Sequence, residues 1–289
     1  MEISRRALLL AAAAAADPKP IDTHIHLFDP KRFPYHPGAV YQPPAQTLEN
    51  YAAFAAQAFS HVVIVHPEPY QDDHRYLEYC FQNEPRKGFF KGTCLFDAFD
   101  PNTPARMAAL VKKWPNRIIA LRVHATEIQT RNAGAIRDRD LSDPRMAQTW
   151  AAAHKLGLAI QMHMIPMWAP AVARLIQQTP GVKVIIDHLS RHGQGTAQEY
   201  EEVLKLKAYM KFSGLSYSSK QPPPHADLQP LARRIYDSFG PDRILWGGLG
   251  MNAGAHEIQT SAFETIWSFL PPAARQKIRY ANALSLFPA

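Results

Sequence analysis

The chain of 289 residues is poor in cysteine: it has only Cys80 and Cys94, each inside an apolar segment. Their number and spacing exclude a cysteine-based metal site, so we interpret them as buried thiols, and a disulfide between them stays open. No shift in composition divides the chain and no internal repeat is visible, which favours one domain. No glycine-rich phosphate loop follows the first apolar run, which argues against an open nucleotide-binding sheet.

Concentrated positive charge is also lacking, although the net charge is +7. Lysine and arginine are dispersed and no aromatic platform motif accompanies them, so we predict no nucleic-acid partner. A dispersed basic surface instead favours a small-molecule substrate that carries negative charge. A homo-oligomer is compatible with this composition, which does not set the number of subunits.

Long hydrophobic runs are absent, and the apolar stretch near the N-terminus is too short to span a bilayer. This stretch follows Arg5 and Arg6 and leads through six consecutive alanines to Asp17. Such a segment is typical of a bacterial export signal of the twin-arginine kind. We therefore expect residues 1–16 to be an export signal, residues 17–289 to be the folded domain, and the protein to be periplasmic or extracellular. The alternative is an ordinary N-terminal helix.

Short apolar runs alternate with longer amphipathic segments after the N-terminal stretch, which is the pattern of repeated strand-then-helix units and a parallel sheet. Eight such units in a chain of this length predict an α/β fold, a single-domain (β/α)8 TIM barrel. The predicted strands are Ile21–Ile25, Val62–Val65, Phe89–Phe96, Ile118–Val123, Leu158–Met162, Val182–Ile186, Tyr209–Phe212 and Ile244–Trp246.

Several helix ends carry recognisable signals. Thr103 and Asp143 each precede a proline, which predicts an N-cap followed by proline at the first helical position. The run Thr196–Glu199 predicts a capping box that opens a helix through Lys207. Proline-rich or polar insertions are expected to shape the mouth of the barrel, at residues 34–44, 134–140 and 221–225.

Histidines recur at the carboxyl ends of the predicted strands, where a barrel assembles its site. His24 and His26 lie at the end of the first strand, His163 at the end of the fifth and His188 after the sixth. On an extended segment His24 and His26 point to the same side, which Asp22 shares. Because imidazole suits zinc and other divalent transition metals, we predict that the four histidines hold a divalent metal, with zinc in first place. Each histidine alone is also compatible with a structural role.

Several segments resemble the amidohydrolase-related barrels, in particular the branch with sugar lactonases and pyrone-dicarboxylate lactonases. They are Ile21–Pro30, the histidines at 163 and 188, and the closing segment Tyr280–Phe287. The resemblance covers residues 20–287, and the first motif is its most specific part. It implies a barrel hydrolase.

The resemblance also implies roles for single residues. Metal or substrate binding is implied for His24, His26 and His163. His188 is expected to ligate metal or to polarise the scissile carbonyl. Arg122, on the fourth strand, is expected to hold a carboxylate or carbonyl oxygen with its planar fork. The alternative for Arg122 is an ion pair at the rim of the barrel.

Three more residues are candidates for substrate binding. His66 and His124 lie near strand ends, and Asn252 lies in the loop after the eighth strand. The alternative for the two histidines is that they are ordinary polar residues of the rim, since loop polar residues commonly satisfy local backbone groups.

The eighth strand departs from the family pattern. Related barrels carry an aspartate there that accepts a proton from the attacking water, whereas this chain has Leu249 or Gly250 at that position. Another base would have to replace it, and the candidates are Glu68, Asp97, Glu127 and His256. The alternative for the three carboxylates is a helix cap or a solvated loop charge, and the alternative for His256 is an ordinary polar residue of the rim. The glycines around Leu249 predict either a tight turn or backbone amides that bind an anionic oxygen.

We conclude that the chain is an enzyme, a hydrolase that opens a small lactone or related carbonyl compound by attack of an activated water, with or without assistance from a metal. His188 and Arg122 are its predicted catalytic residues. Two alternatives stay open. One is a metal-dependent decarboxylase of an aromatic or unsaturated acid, and the other is a ligand-binding barrel that has lost catalysis with the aspartate.

Overall fold

Eight short extended segments form one parallel sheet in sequential order in the computed structural model, which describes residues 17–287. The strands are β1 (Ile21–Ile25), β2 (His61–Ile64), β3 (Phe90–Cys94), β4 (Ile118–Ala125), β5 (Ala159–Met164), β6 (Val184–Ile186), β7 (Tyr209–Phe212) and β8 (Ile244–Trp246). The predicted (β/α)8 barrel is therefore confirmed. The predicted export signal, residues 1–16, lies outside the described residues.

Helices return the chain between successive strands, as parallel pairing requires. The described residues contain α1 (Leu48–Ala58), α2 (Arg75–Gln82), α3 (Thr103–Lys113), α4 (Pro144–Lys155), α5 (Ala169–Gln178), α6 (Ala197–Leu204), α7 (Gln229–Phe239), α8 (Ala253–Ile266), α9 (Pro272–Gln276) and α10 (Asn282–Leu286). Across residues 17–287, no helix combines the length and apolar character that crossing a membrane requires.

The predicted bounds of β1, β7 and β8 agree with the observed ones, and the other strands differ by one or two residues at an end. Apolar residues continue past the last paired residue of a strand, so composition alone does not fix its end. Cys80 and Cys94 are buried and free, which confirms their interpretation as buried thiols.

The helix-capping predictions had different outcomes. Asp143 caps α4, and Thr196–Glu199 forms the predicted capping box of α6, which ends at Leu204, three residues earlier than predicted. The prediction that Thr103 is an N-cap is wrong. The helix α3 begins at Thr103 itself, and its hydroxyl donates to the carbonyl of Asp97 instead of accepting from the first helical turn.

The barrel interior is apolar at the bottom and charged above. Its lowest layer includes Ile21, Val63, Ala120, Ala159, Ile185 and Leu245, which pack against residues of α10. The next layer lies two residues closer to the carboxyl ends of β4 to β7. Its buried side chains are Arg122 on β4, Gln161 on β5, Asp187 directly after β6 and Lys211 on β7. Another step along leads to His124 and His163, which are paired in register. Polar groups therefore begin one layer below the mouth.

Closure between β8 and β1 depends on individual hydrogen bonds. The hydroxyl of Thr23 donates to the carbonyl of Trp246 at 2.7 Å, and the amide of Leu249 donates to the carbonyl of His24 at 3.1 Å. A Cβ added at Gly247 would lie 2.7 Å from the Cβ of His24, so the close approach of the two segments requires glycine there.

A left-handed turn follows β6. His188, Leu189, Ser190 and Arg191 have φ values of +56°, +54°, +54° and +49°. For residues other than glycine this conformation costs about 1–2 kcal/mol each. The hydroxyl of Tyr200 donates to the carbonyl of Leu189 at 3.0 Å and helps to hold the turn. The turn therefore places His188 and Arg191 by means of a strained backbone.

Replacing Ser190 with glycine should raise the free energy of unfolding by about 1 kcal/mol, because glycine adopts the left-handed conformation without a Cβ clash. The Ser190 hydroxyl has no hydrogen-bond partner among the described residues, so the substitution removes none. Denaturant unfolding of S190G checks this. A control, Ala173→Gly in α5, should lower stability by about 1 kcal/mol. A loss of stability in S190G would contradict the prediction.

Candidate active site

A cavity of about 450 Å³ opens at the carboxyl ends of the strands. It is lined by His26, Phe28, Tyr41, Pro43, Glu68, Arg122, His124, Thr126, Arg137, His163, His188, Arg191 and Tyr217. Three guanidinium groups and four imidazoles thus surround it, with a single carboxylate, that of Glu68. The lining is rich in hydrogen-bond donors and poor in negative charge.

His24 and His26 meet beside this cavity, with their Nε2 atoms 3.2 Å apart. The Nδ1 of His26 lies 2.7 Å from the carbonyl of Val65, which can only accept, so this nitrogen carries the proton. The Nδ1 of His24 lies 3.5 Å from Oδ1 of Asp187, which favours the same tautomer. In these tautomers the two Nε2 lone pairs face each other.

Two lone pairs that converge in this way can share a cation, and their spacing tests whether a metal fits. Burial lowers the pKa of His24 well below its ordinary value and that of His26 to about 3, so at neutral pH a proton does not fill the position. Two nitrogens bound to tetrahedral zinc at about 2.0–2.1 Å are about 3.3 Å apart. The observed separation of 3.2 Å is close to this value, so His24 and His26 fit a divalent ion.

His188 extends this donor set. Ligand atoms of His24, Asp187 and His188 lie within 4.8 Å of one another, which makes a possible metal site. The Nδ1 of His188 lies 2.9 Å from the hydroxyl of Ser213, which leaves Nε2 for a metal or a substrate oxygen. Burial lowers the pKa of His188 to about 3, so its imidazole is neutral.

His163 lies between two guanidinium groups. Its Nε2 accepts from Nε of Arg191 at 3.0 Å, and its Nδ1 lies 3.4 Å from Nη2 of Arg122. Burial and the charge of Arg122 lower the pKa of His163 well below its ordinary value. The structure therefore brings His24, His26 and His188 together, and places His163 next to His188 with its lone pair engaged by Arg191.

Arg122 and Arg191 have no carboxylate at hydrogen-bond distance among residues 17–287. The Nε of Arg122 is 3.9 Å from Oδ2 of Asp187, and its Nη1 is 3.4 Å from the carbonyl of His66. Arg191 stacks over the ring of Tyr217 at 4.1 Å. Both guanidinium groups line the cavity, so both are available to an anionic group of a ligand.

Glu68 supplies the single carboxylate of the lining. It follows β2 and is 2% exposed. Its Oε1 accepts from the side-chain amide of Gln71 at 2.7 Å, whereas its Oε2 has no hydrogen-bond partner in the described part of the chain. Burial raises the pKa of Glu68, and the charge of Arg137 opposes this. A carboxylate with a raised pKa and a free oxygen in a cavity has the properties of a general base.

The three residues predicted to bind substrate occupy different places in the structure, and one of them lines the cavity. His124 lines the cavity. His66 is buried behind it, with its Nε2 2.9 Å from the carbonyl of Gln71. Asn252 is outside the lining and caps α8, where its Oδ1 accepts from the amide of Ala255 at 3.0 Å. The three remaining candidate bases also lie outside the lining: Asp97, Glu127 and His256.

Sequence analysis did not single out three residues of this region. Asp187 could have been identified from the sequence, since it adjoins His188 at a strand end. Lys211 is 1% exposed, and its Nζ lies 3.1 Å from Oδ1 of Asp187; a charged residue inside an apolar strand is itself unusual. Arg191 had no local signal, because the left-handed turn decides where its side chain goes.

Burial also shifts the pKa values of the charged groups below the cavity. Alone it would raise the pKa of Asp187, but the charge of Lys211 and the contact with His24 hold that pKa well below its ordinary value. Burial lowers the pKa of Lys211, opposed by Asp187. The pKa of Asp22 is raised to about 7 by burial, although the amides of His24 and Gly248 donate to its carboxylate.

The loop after β8 is held against β1 by hydrogen bonds. The amide of Gly248 donates to Oδ1 of Asp22 at 2.8 Å, and the amide of Leu249 donates to the carbonyl of His24. Leu249 itself has a φ of +55°. These two amides thus bind β1 in this structure rather than the cavity.

Comparison with known proteins gives a family match and relatives of similar length. Residues 21–289 match the family model described as amidohydrolase. The 4-sulfomuconolactone hydrolase of Hydrogenophaga intermedia is 24% identical over an alignment of 259 positions, and the match covers 82% of this chain and 76% of the relative.

Solved structures show the same fold. A protein of Acinetobacter baumannii, named as a 2-pyrone-4,6-dicarboxylic acid hydrolase and solved with citric acid bound, has a TM-score of 0.76 at 18% identity. The alignment covers 94% of this chain and 100% of that one. An amidohydrolase of Burkholderia multivorans with bound zinc has a TM-score of 0.66 at 16% identity, and the alignment covers 93% and 99% of the two chains.

The match to the family model extends over nearly the whole barrel, from β1 to the end of the sequence. It includes the strand ends that carry His24, His26, His163 and His188. The predicted relationship is confirmed: the protein belongs to the amidohydrolase family.

Proposed function

We propose that the protein is a hydrolase that opens a small lactone bearing at least one anionic group. Arg122 and Arg191 carry the proposal, because both line a cavity of about 450 Å³ and neither has a carboxylate at hydrogen-bond distance among residues 17–287, the nearest to Arg122 being Asp187 at 3.9 Å. A charged group in such a place is stabilised when a ligand supplies the opposite charge. The relatives support the choice, since one is named for a sulfonated lactone and the other for a dicarboxylated pyrone.

His188 is suited to act on the lactone carbonyl. Its Nδ1 contacts the Ser213 hydroxyl, which can donate or accept, so both neutral tautomers of His188 are satisfied. In one tautomer Nε2 donates to the carbonyl oxygen, and in the other it offers a lone pair to a metal. Arg122 and Arg191, on either side of His163, orient the anionic group of the substrate.

Glu68 is the proton acceptor in this proposal. A water attacks the carbonyl carbon and transfers a proton to Glu68 as the new carbon–oxygen bond forms. The ring carbon–oxygen bond then breaks, and Glu68 returns the proton to the departing ring oxygen. The product is the open hydroxy acid, so Glu68 ends each turnover ionised again.

We propose zinc as the metal, held by His24 and His26 with His188 beside them. Neutral imidazoles are ligands that zinc prefers, and a zinc-bound structure has the same fold. When bound, a divalent ion there would supply polarisation of the substrate carbonyl.

Hydrolysis of two lactones with the same ring, one with a carboxylate substituent and one without, tests the proposed function. We expect ring opening of the carboxylated lactone with a kcat/KM about 100-fold higher, because its charge reaches two guanidinium groups. Release of carbon dioxide without ring opening would favour a decarboxylase. Thermal stabilisation by the lactone without any product would favour a binding protein. Either result would contradict the proposal.

The variant E68Q should lower kcat by on the order of 10²–10⁴, because glutamine cannot accept the proton. Glu127→Gln is the matched control, since the charges of Glu68 and Glu127 both act on Arg137 but Glu127 lies outside the lining. Steady-state kinetics should show E127Q close to wild type. An equal loss in both variants would refute the role of Glu68.

The pH profile gives a second measure of Glu68. Its pKa is raised above the ordinary value of 4.5, so wild-type kcat/KM should fall as the pH drops through that raised value. This acid limb should be absent from the residual activity of E68Q. Its persistence there would assign the limb to another group.

The variant R191Q should raise KM for the carboxylated lactone by about 10- to 100-fold, because a charge-assisted hydrogen bond is lost. KM for the uncharged lactone should change little. Arg145→Gln is the control, since Arg145 pairs with Asp143 on the surface at 2.7 Å. If R191Q affected both lactones equally, Arg191 would have no role in recognising the charge.

A further inference from the structure

Lys211 is a buried cation with no part in the proposed reaction. It lies on β7 and is 1% exposed. Its Nζ donates to the carbonyl of Thr23 at 3.0 Å and lies 3.1 Å from Oδ1 of Asp187. Lysine is almost never buried without a paired charge, so the contact with Asp187 gives the reason for its presence in the barrel.

Asp187 is at the same time one of the possible metal ligands. Its Oδ1 is shared, because the Nδ1 of His24 lies 3.5 Å from the atom that Lys211 contacts. Its Oδ2 accepts from the side-chain amide of Gln161 at 3.0 Å, and Nε of Arg122 lies 3.9 Å away. Each oxygen therefore already faces donors from the protein.

We propose that Lys211 is a positioning residue that keeps Asp187 out of direct contact with a metal ion. An ammonium group 3.1 Å from Oδ1 neutralises the carboxylate and repels a divalent cation that approaches the same oxygen. Asp187 then stands behind His24, with its Oδ1 3.5 Å from Nδ1 of His24, and leaves Nε2 of His24 to face the metal. Lys211 thereby leaves the metal to the imidazoles and limits how tightly the site binds it.

The inference rests on the metal site proposed for His24 and His26, and it predicts binding rather than turnover. Without the charge of Lys211, Oδ1 of Asp187 keeps only the 3.5 Å contact with Nδ1 of His24 and becomes accessible to a cation at that site. A carboxylate added to neutral nitrogen ligands strengthens the binding of zinc and changes the ligand set.

Zinc titration of metal-free wild type and Lys211→Gln by calorimetry tests this. K211Q removes the charge and retains N–H donors on a side chain that is one atom shorter. We expect its zinc affinity to be at least about 10-fold higher than that of wild type. Lys91→Gln is the matched control, since Lys91 is also a buried barrel lysine but lies on β3, with its Nζ 3.0 Å from the carbonyl of Asn116. K91Q should bind zinc as wild type does.

The absorption spectrum of bound Co²⁺ depends on which residues ligate the metal. It is measured for a second variant, D187N, as well as for K211Q. With Co²⁺ in place of zinc, D187N should have the spectrum of wild type, because Asp187 is not a ligand while Lys211 is present. K211Q should have a different spectrum, and K211Q/D187N should lose both the new spectrum and the gain in affinity. Circular dichroism shows which variants are folded.

A folded K211Q with unchanged or weaker zinc affinity overturns the proposal, since a purely structural lysine would alter stability alone. A changed cobalt spectrum in D187N also overturns it, even if K211Q does not fold. If neither wild type nor K211Q binds zinc, the inference fails with the metal site. Lactone hydrolysis by wild type remains a separate measure of the proposed function.

Discussion

The centre of the barrel depends on the contacts that the buried carboxylate of Asp187 makes. It meets side chains from β1, β5 and β7, namely His24, Gln161 and Lys211, at 3.0–3.5 Å. A buried ion that loses its partner is strongly destabilising, so these strands must keep their register around it. The same carboxylate favours the tautomer of His24 with the proton on Nδ1, in which the Nε2 that faces His26 carries a lone pair. The packing of the barrel and the chemistry of its mouth are thus coupled.

Burial and an excess of positive charge around this centre together keep the histidines neutral. Burial first, and then the nearby arginine charge, lower the pKa of His26 and His163. Imidazoles kept neutral in this way retain lone pairs for a metal or a proton donor. The cationic groups that add to this effect of burial also attract an anionic substrate. The acidic groups nearby do not balance them, because Asp187 is paired and burial raises the pKa of Asp22 to about 7.

The sequence predicted the barrel and the position of the mouth histidines, because strand alternation and strand-end residues are local properties, and the family was predicted from the resemblance of its motifs. It could not predict the pairing of Lys211 with Asp187, which depends on the register of β7 against β6. It could not place Arg191 either, since no glycine or other turn signal marks the left-handed turn. Thr103 failed as a cap for a similar reason: a nearby carbonyl, that of Asp97, is the better partner for its hydroxyl.

The segment after β8 that lacks the aspartate and the segment after β2 that carries Glu68 lie on opposite sides of β1. The loop after β8 uses its amides at Gly248 and Leu249 to close the barrel onto β1. Strand β1 lies between β8 and β2, and His26 reaches β2 through its contact with the carbonyl of Val65. Glu68 follows β2, so its carboxylate enters the mouth from the opposite neighbour of β1. In this arrangement the loop after β8 serves closure, and Glu68, which we propose as the acid–base group, follows the second strand.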